Sequence, residues 1–139
     1  MKKSMIKPLL PSLLRCCAMA AFACCANASA HTTVSPKQAP QDSYQRLAFG
    51  VTHGCEGSPT VEVVIAVPEA IMGAKPMPKP GWTLETEVRE LDKPYMSHGK
   101  EVRQDVRVIR WRGKLPDAHY DEFVIMAKIW GKAGPVAIP

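Results

Sequence analysis

The sequence predicts an all-β fold, an antiparallel β-sandwich, on three observations. Apolar residues alternate with polar ones at period two in several separate runs. Short clusters of Gly, Pro, Asp and Ser divide those runs. No stretch beyond residue 30 carries a sustained 3.6-residue apolar period bounded by helix caps. Short strands at this spacing bury one face each, and two sheets closing on one another satisfy them all.

The elements follow in chain order. Leu47, Phe49 and Val51 alternate in "YQRLAFGVT", and Val61, Val63, Ile65 and Val67 do so in "VEVVIAVP". Trp82, Leu84, Thr86 and Val88 form the third run, in "GWTLETEVRE". The fourth, "DVRVIRWR", begins on Val106 and Val108 and continues on Ile109 and Trp111; this change of phase predicts a β-bulge. Phe123, Ile125, Ala127 and Ile129 make the fifth, in "EFVIMAKIW". The segments "HGCEGSP", "MGAKPMPKPG", "DKPYMSHGK" and "RGKLPDAHYDE" read as the breaks between strands. Most prolines beyond residue 30 fall there or at strand ends, since proline has no N–H to give a ladder. The final "GKAGPVAIP" opens like a further strand and stops, with no polar tail. The expectation is a sandwich lacking its last strand or strands through C-terminal truncation, which leaves an open edge.

The first 30 residues differ from the rest. Lys2, Lys3, Lys7 and Arg15 precede or begin an apolar run, Cys16 to Ala26, and Ala28-Ser29-Ala30 follows with no acidic residue anywhere in the segment. That is the layout of a secretory signal peptide cut after Ala30. The apolar run is about half the ~20 residues that span a bilayer, so no transmembrane anchor is expected. Lipidation at Cys24 lacks the branched aliphatic residue three positions earlier. Residues 31–139 then form a single exported domain, periplasmic or otherwise outside the cytoplasm. Four of the 18 Lys and Arg leave with the signal, so 14 face 13 acidic residues and the domain is close to neutral. A nucleic-acid partner thereby loses its electrostatic footing.

Cleavage after Ala30 makes His31 the first residue, and this changes its chemistry. A terminal histidine offers its α-amine and its imidazole Nδ1 to one metal ion as a chelate; in the precursor the same nitrogen is an amide. Amine and imidazole ordinarily titrate near pH 7.7 and 6.5, so both can lose their protons near neutrality. Nitrogen donors in a tetragonal set favour Cu(II). A carboxylate could come from Glu56 in "HGCEGS", a loop between strands.

Other chemistry is thinner. Cys55 is the one cysteine left beyond residue 30, and it reads as a free thiol, a metal ligand or half of a disulfide. His53 could pair with it. Met72, Met77, Met96 and His98 suggest a soft Cu(I) site, although methionine is also ordinary packing material. His119 with Asp117, Asp121 and Glu122 suggests a divalent-cation site, against the alternative of a solvated acidic loop. There is no CxxC, no phosphate-cradling glycine loop and no paired serine nucleophile and base.

"HTTVSPKQAPQDSYQRLAFGVTHGCEGSPTVEVVIAVPE", "GAKPMPKPGWTLE" and "GKLPDAHYDEF", in that order, resemble the YcnI-like domain family of exported copper proteins over nearly all of residues 31–139. The resemblance implies an immunoglobulin-like sandwich that holds Cu(II) in a mono-histidine brace. His31 matches the histidine and Glu56 the carboxylate, with Glu62 close by in sequence. It also implies a tryptophan beside the copper and a partner for Cys55, both of which fall past residue 139. The implied function is copper sequestration or transfer, with another exported copper carrier or a membrane copper transporter as partner, and no catalysis. A copper oxidase would add a second equatorial histidine, for which no residue stands out in sequence. A metal-free interaction module is the further alternative.

Overall fold

The computed structural model describes residues 32–132 and 134–139; the signal segment and His31 lie outside them. Every regular element among the described residues is a strand. They are β1 (Thr32–Ser35), β2 (Tyr44–Val51), β3 (Thr60–Ala66), β4 (Ile71–Pro76), β5 (Thr83–Ser97), β6 (Lys100–Leu115) and β7 (Asp121–Ile129). One sheet runs β1-β2-β7-β4 and the other β3-β6-β5, all neighbours antiparallel. This is the predicted sandwich.

The predicted alternations supply its core. Leu47, Phe49, Val51, Phe123, Ile125 and Ala127 of the first sheet meet Val63, Ile65, Ile109 and Trp111 of the second, all buried. Trp111 is 0 % exposed, and its indole N–H donates to the Met77 carbonyl at 3.2 Å, so the one polar atom of the ring is satisfied. Phe123 takes Trp82 edge-on at 4.8 Å and Trp111 at 5.5 Å. A Cβ at Gly113 would come within 2.4 Å of the Trp82 ring, so the absence of a side chain there lets this ring lie flat on β6.

The predicted bulge is present, just before the Val108–Ile109 change of phase. β5 and β6 pair Glu87 with Val108 and Val88 with Val106, leaving Arg107 as the extra residue. Its guanidinium turns back to the Pro68 and Ile71 carbonyls and closes the β3–β4 connection.

Two breaks are in fact strands. "MGAKPMPKPG" holds most of β4, hidden by its own irregularity: one residue is extra between Met72 and Lys75, beside Gly73 at φ 60°, and the strand pairs on one side only, with β7. "DKPYMSHGK" is the tip of a long hairpin in which only His98 and Gly99 turn, both at positive φ. Pro94 is tolerated because the ladder is interrupted between Glu90 and Tyr95, where no N–H is called for. β1 is a strand that the alternation was too short to show.

The distal half of this hairpin is fastened by Asp105, a buried carboxylate. It accepts the Gly73 amide at 2.8 Å and the Tyr95 hydroxyl at 3.0 Å, so β4, β5 and β6 meet on one side chain. At the other edge of the second sheet the Ala66 amide donates to the Pro139 carbonyl, at 3.0 Å.

Candidate metal centre

Sheet register decides which loops share an end of the sandwich. β1 pairs with β2 up to Thr32 opposite Val51, and β2 pairs with β7 up to Val51 opposite Asp121. The start of β1 at Thr32, the β2–β3 loop (52–59) and the β6–β7 loop (116–120) therefore share this end. The two loops touch: the buried Gly54 N–H donates to Asp117 Oδ1 at 2.8 Å. His31, one peptide bond before Thr32, lies outside the described residues.

The β2–β3 loop is built tightly. Cys55 to Ser58 form a turn closed by the Ser58 N–H on the Cys55 carbonyl at 2.9 Å, with Glu56 at φ 52° and Gly57 at φ 75°. Positive φ at both central positions suits Asn-Gly or Asp-Gly; glutamate there is strained. Glu56 is exposed at the tip. A Cβ on Gly54 would sit 1.8 Å from the Ser58 carbonyl oxygen, so the loop folds over on that glycine. His53, exposed, makes a 2.8 Å bond from Nδ1 to the Gly54 carbonyl. A carbonyl only accepts, so Nδ1 holds the proton and the lone pair lies on Nε2. Cys55 is half-buried and forms no disulfide among the described residues.

Around this loop the other polar groups are engaged. Tyr120 lies across Gly50, where a Cβ would meet its hydroxyl at 2.8 Å and Thr33 Oγ1 at 3.0 Å. The hydroxyl donates to Glu122 Oε1 at 2.8 Å, and that bond raises the Tyr120 pKa above its ordinary value. Asp121 accepts Lys79 Nζ at 2.5 Å and the Glu122 amide at 2.8 Å; Glu122 also receives Arg46 at 3.4 Å. The carboxylates near His119 thus have cationic, hydroxyl or amide partners, and they do not assemble the divalent-cation site that their sequence spacing suggests. Glu62, the other carboxylate weighed with Glu56, is on β3 with Arg110 at 3.1 Å and Arg112 at 2.9 Å, in an ion-pair row that continues to Glu85. Among the described residues no group of three or more His, Cys, Asp and Glu could hold a metal ion. The β2–β3 loop offers a carboxylate in Glu56 and an imidazole in His53.

The methionines divide. Met77 lies with Lys79, Tyr120 and Val124 on the flank of the first sheet. Met72, Met96 and His98 border a cavity of about 700 Å³ between the hairpin tip and Tyr44, Lys128 and Trp130, at the far end of β2. Strand alternation turns the Met96 side chain away from the face of Tyr95, which points at Asp105 and Gly73. Met77 thus lies apart from Met72, Met96 and His98.

Fold and site together define a two-sheet antiparallel sandwich whose first strand starts at a strained, loop-built end. The chain belongs to the family described as Domain of unknown function (DUF1775), which it matches over residues 31–139 and to which the YcnI-like proteins belong. A crystal structure of an uncharacterized protein from Nocardia farcinica, with an immunoglobulin-like fold, is similar at 21% identity, covering 80% of this chain and 75% of that one with a TM-score of 0.58. At that identity the likeness establishes the immunoglobulin-like fold and nothing finer. No curated protein matches the chain. Among the described residues no helix is long and apolar enough to cross a membrane.

Proposed function

We propose that the protein is an exported copper carrier that holds Cu(II) at a mature N-terminal His31, with Glu56 as carboxylate ligand, for sequestration or transfer rather than catalysis. The observation that carries this reading is the register that sets Thr32, the residue after His31, opposite Val51, at the strand end that leads into the loop bearing Glu56. The strain at Glu56 supports it. A left-handed glutamate costs on the order of 1 kcal/mol or more, and such residues concentrate at functional sites. Amine and imidazole Nδ1 of His31 would give a six-membered chelate unavailable to an internal histidine, and the ion would in turn stabilise the loop it joins to β1. The copper supplies no reaction here; the residues' task is to bind, orient and release it. Export frees the α-amine by cutting the bond after Ala30.

The test is a Cu(II) titration of protein beginning at His31 against protein carrying one further N-terminal residue. Tight binding to the first and a loss of affinity in the second is the expected result. Equal affinity in the two removes the terminal chelate and the proposal with it.

A further inference from the structure

We infer that the sandwich holds a single-chain anionic amphiphile, a fatty carboxylate, in a cavity of about 440 Å³ between β1 and the segment that follows β7. The cavity borders the end of β7 at Ile129, whereas the candidate metal centre lies at its start, Asp121, so the inference stands apart from the copper reading. Two core side chains, Leu47 and Ile71, line it from within, together with Ile129. Val34 of β1 stands on one side. On the other, Val136 and Ile138 belong to a strap, residues 134–139, that is tied to the second sheet by the Ala66 amide on the Pro139 carbonyl at 3.0 Å. The Gln41 side-chain amide donates to the Gly131 carbonyl and joins the β1–β2 connection to the root of that strap.

The lining selects the occupant. Its inner surface is aliphatic, and the Gln41 amide is already committed to Gly131. An extended peptide would bury its own amides against side chains that offer them no hydrogen bond, which is costly; a hydrocarbon chain has no amide to bury. Charge fixes the head group. Lys37 and Lys132 border the cavity and are exposed, so they stand at its mouth, and no acidic residue is among its described lining. Among the described residues neither lysine is in an ion pair. A carboxylate at the mouth therefore meets two ammonium groups while its chain lies inside. The volume is toward the low end of the roughly 300–1,000 Å³ of small-molecule sites, which suits one chain rather than the two of a membrane lipid.

The experiment is calorimetric titration of copper-free protein beginning at His31 with octanoate, decanoate and dodecanoate. Affinity should rise about fourfold for each added methylene, the ratio that burial of one CH₂ produces. K37E/K132E should bind dodecanoate roughly fivefold or more weakly, yet bind dodecanol as the wild type does. V136D sets a carboxylate at an exposed position of the strap and should weaken dodecanoate binding by about tenfold or more. No binding, or affinity independent of chain length, overturns the site, and this wild-type series needs no variant to fold. Unchanged dodecanoate affinity in V136D places the ligand elsewhere and overturns it as well. Loss of dodecanoate and dodecanol alike in K37E/K132E, or of neither, overturns the anionic head group. Sedimentation with anionic diacyl vesicles but no binding of free carboxylate makes the site a membrane contact and overturns the single-chain ligand.

Discussion

Glu56 sits where local rules would place asparagine. It occupies the first central position of a turn with φ 52°, followed by Gly57 at φ 75°. Asparagine adopts the left-handed region far more readily than glutamate does. E56N should therefore raise the stability of the metal-free protein by on the order of 1 kcal/mol, read as a higher denaturant midpoint, while it weakens Cu(II) binding. Such opposed effects mark a residue kept for its side chain at the expense of its backbone. Undiminished copper affinity in E56N would take Glu56 out of the ligand set. Tyr95 makes a different prediction. Burial, and then the Asp105 carboxylate that accepts its hydroxyl, push its pKa up to about 12 from an ordinary value of 10. The folded state thus holds this proton more tightly than the unfolded chain. The stability that this contributes is complete below about pH 10 and falls away as pH rises toward 12. Alkaline unfolding of Y95F should lack that component; an unchanged profile would exclude Tyr95 as its source.

Among the elements, the β5–β6 hairpin depends most on a single contact. β3 pairs with β6 only from Leu115 to Val108, so beyond that point the hairpin is a two-stranded ribbon. Isolated ribbons of this kind are marginal in water. Asp105 ties it to β4 through Gly73 and to its own partner strand through Tyr95. D105A would leave a half-buried hydroxyl and an amide without that acceptor, at about 1–3 kcal/mol for each group left unsatisfied. Hydrogen exchange in Val88–Val106 should then quicken, with β2 and β7 little changed. Uniform loss of protection across both sheets would show that Asp105 supports the whole sandwich instead. The same element shows the reach of sequence reading. The alternation of "GWTLETEVRE" and the phase change in "DVRVIRWR" located the strands and the bulge. The turn cluster "DKPYMSHGK" did not stop the chain, because Pro94 falls in a gap of the ladder.

For the molecule as a whole, stability rests on one modest core whose largest fully buried side chain is Trp111. It contacts Phe123, which also carries Trp82, so the two sheets are joined through three aromatic rings. W111A should cost about 3–5 kcal/mol, as large-to-small changes at buried aromatics do. Against a typical total of ~5–15 kcal/mol, that is enough to leave much of the protein unfolded near physiological temperature. A loss of under 1 kcal/mol, measured by urea unfolding, would mean that the core refills around the cavity. The candidate metal centre is a product of the same scale. Asp117 and Gly54 are 63 positions apart, yet they bond because β2 and β7 are neighbours in one sheet.

Period-two alternation is a local property, written into consecutive residues, and by itself it determined the all-β class, the buried faces of β2, β3, β6 and β7, and the bulge in β6. The small-residue pattern before His31 is equally local, and the cleavage and terminal chelate proposed from it rest on sequence alone. Pairing partners and register are long-range and carry no mark in any single segment. Only the tertiary structure decided that Thr32 lies opposite Val51, that Glu56 is held left-handed at a turn tip, and that Glu62 belongs to an arginine row rather than to the loop. Strand order in the sheets sets which loops meet, and a metal centre made from loops exists only once that order is fixed.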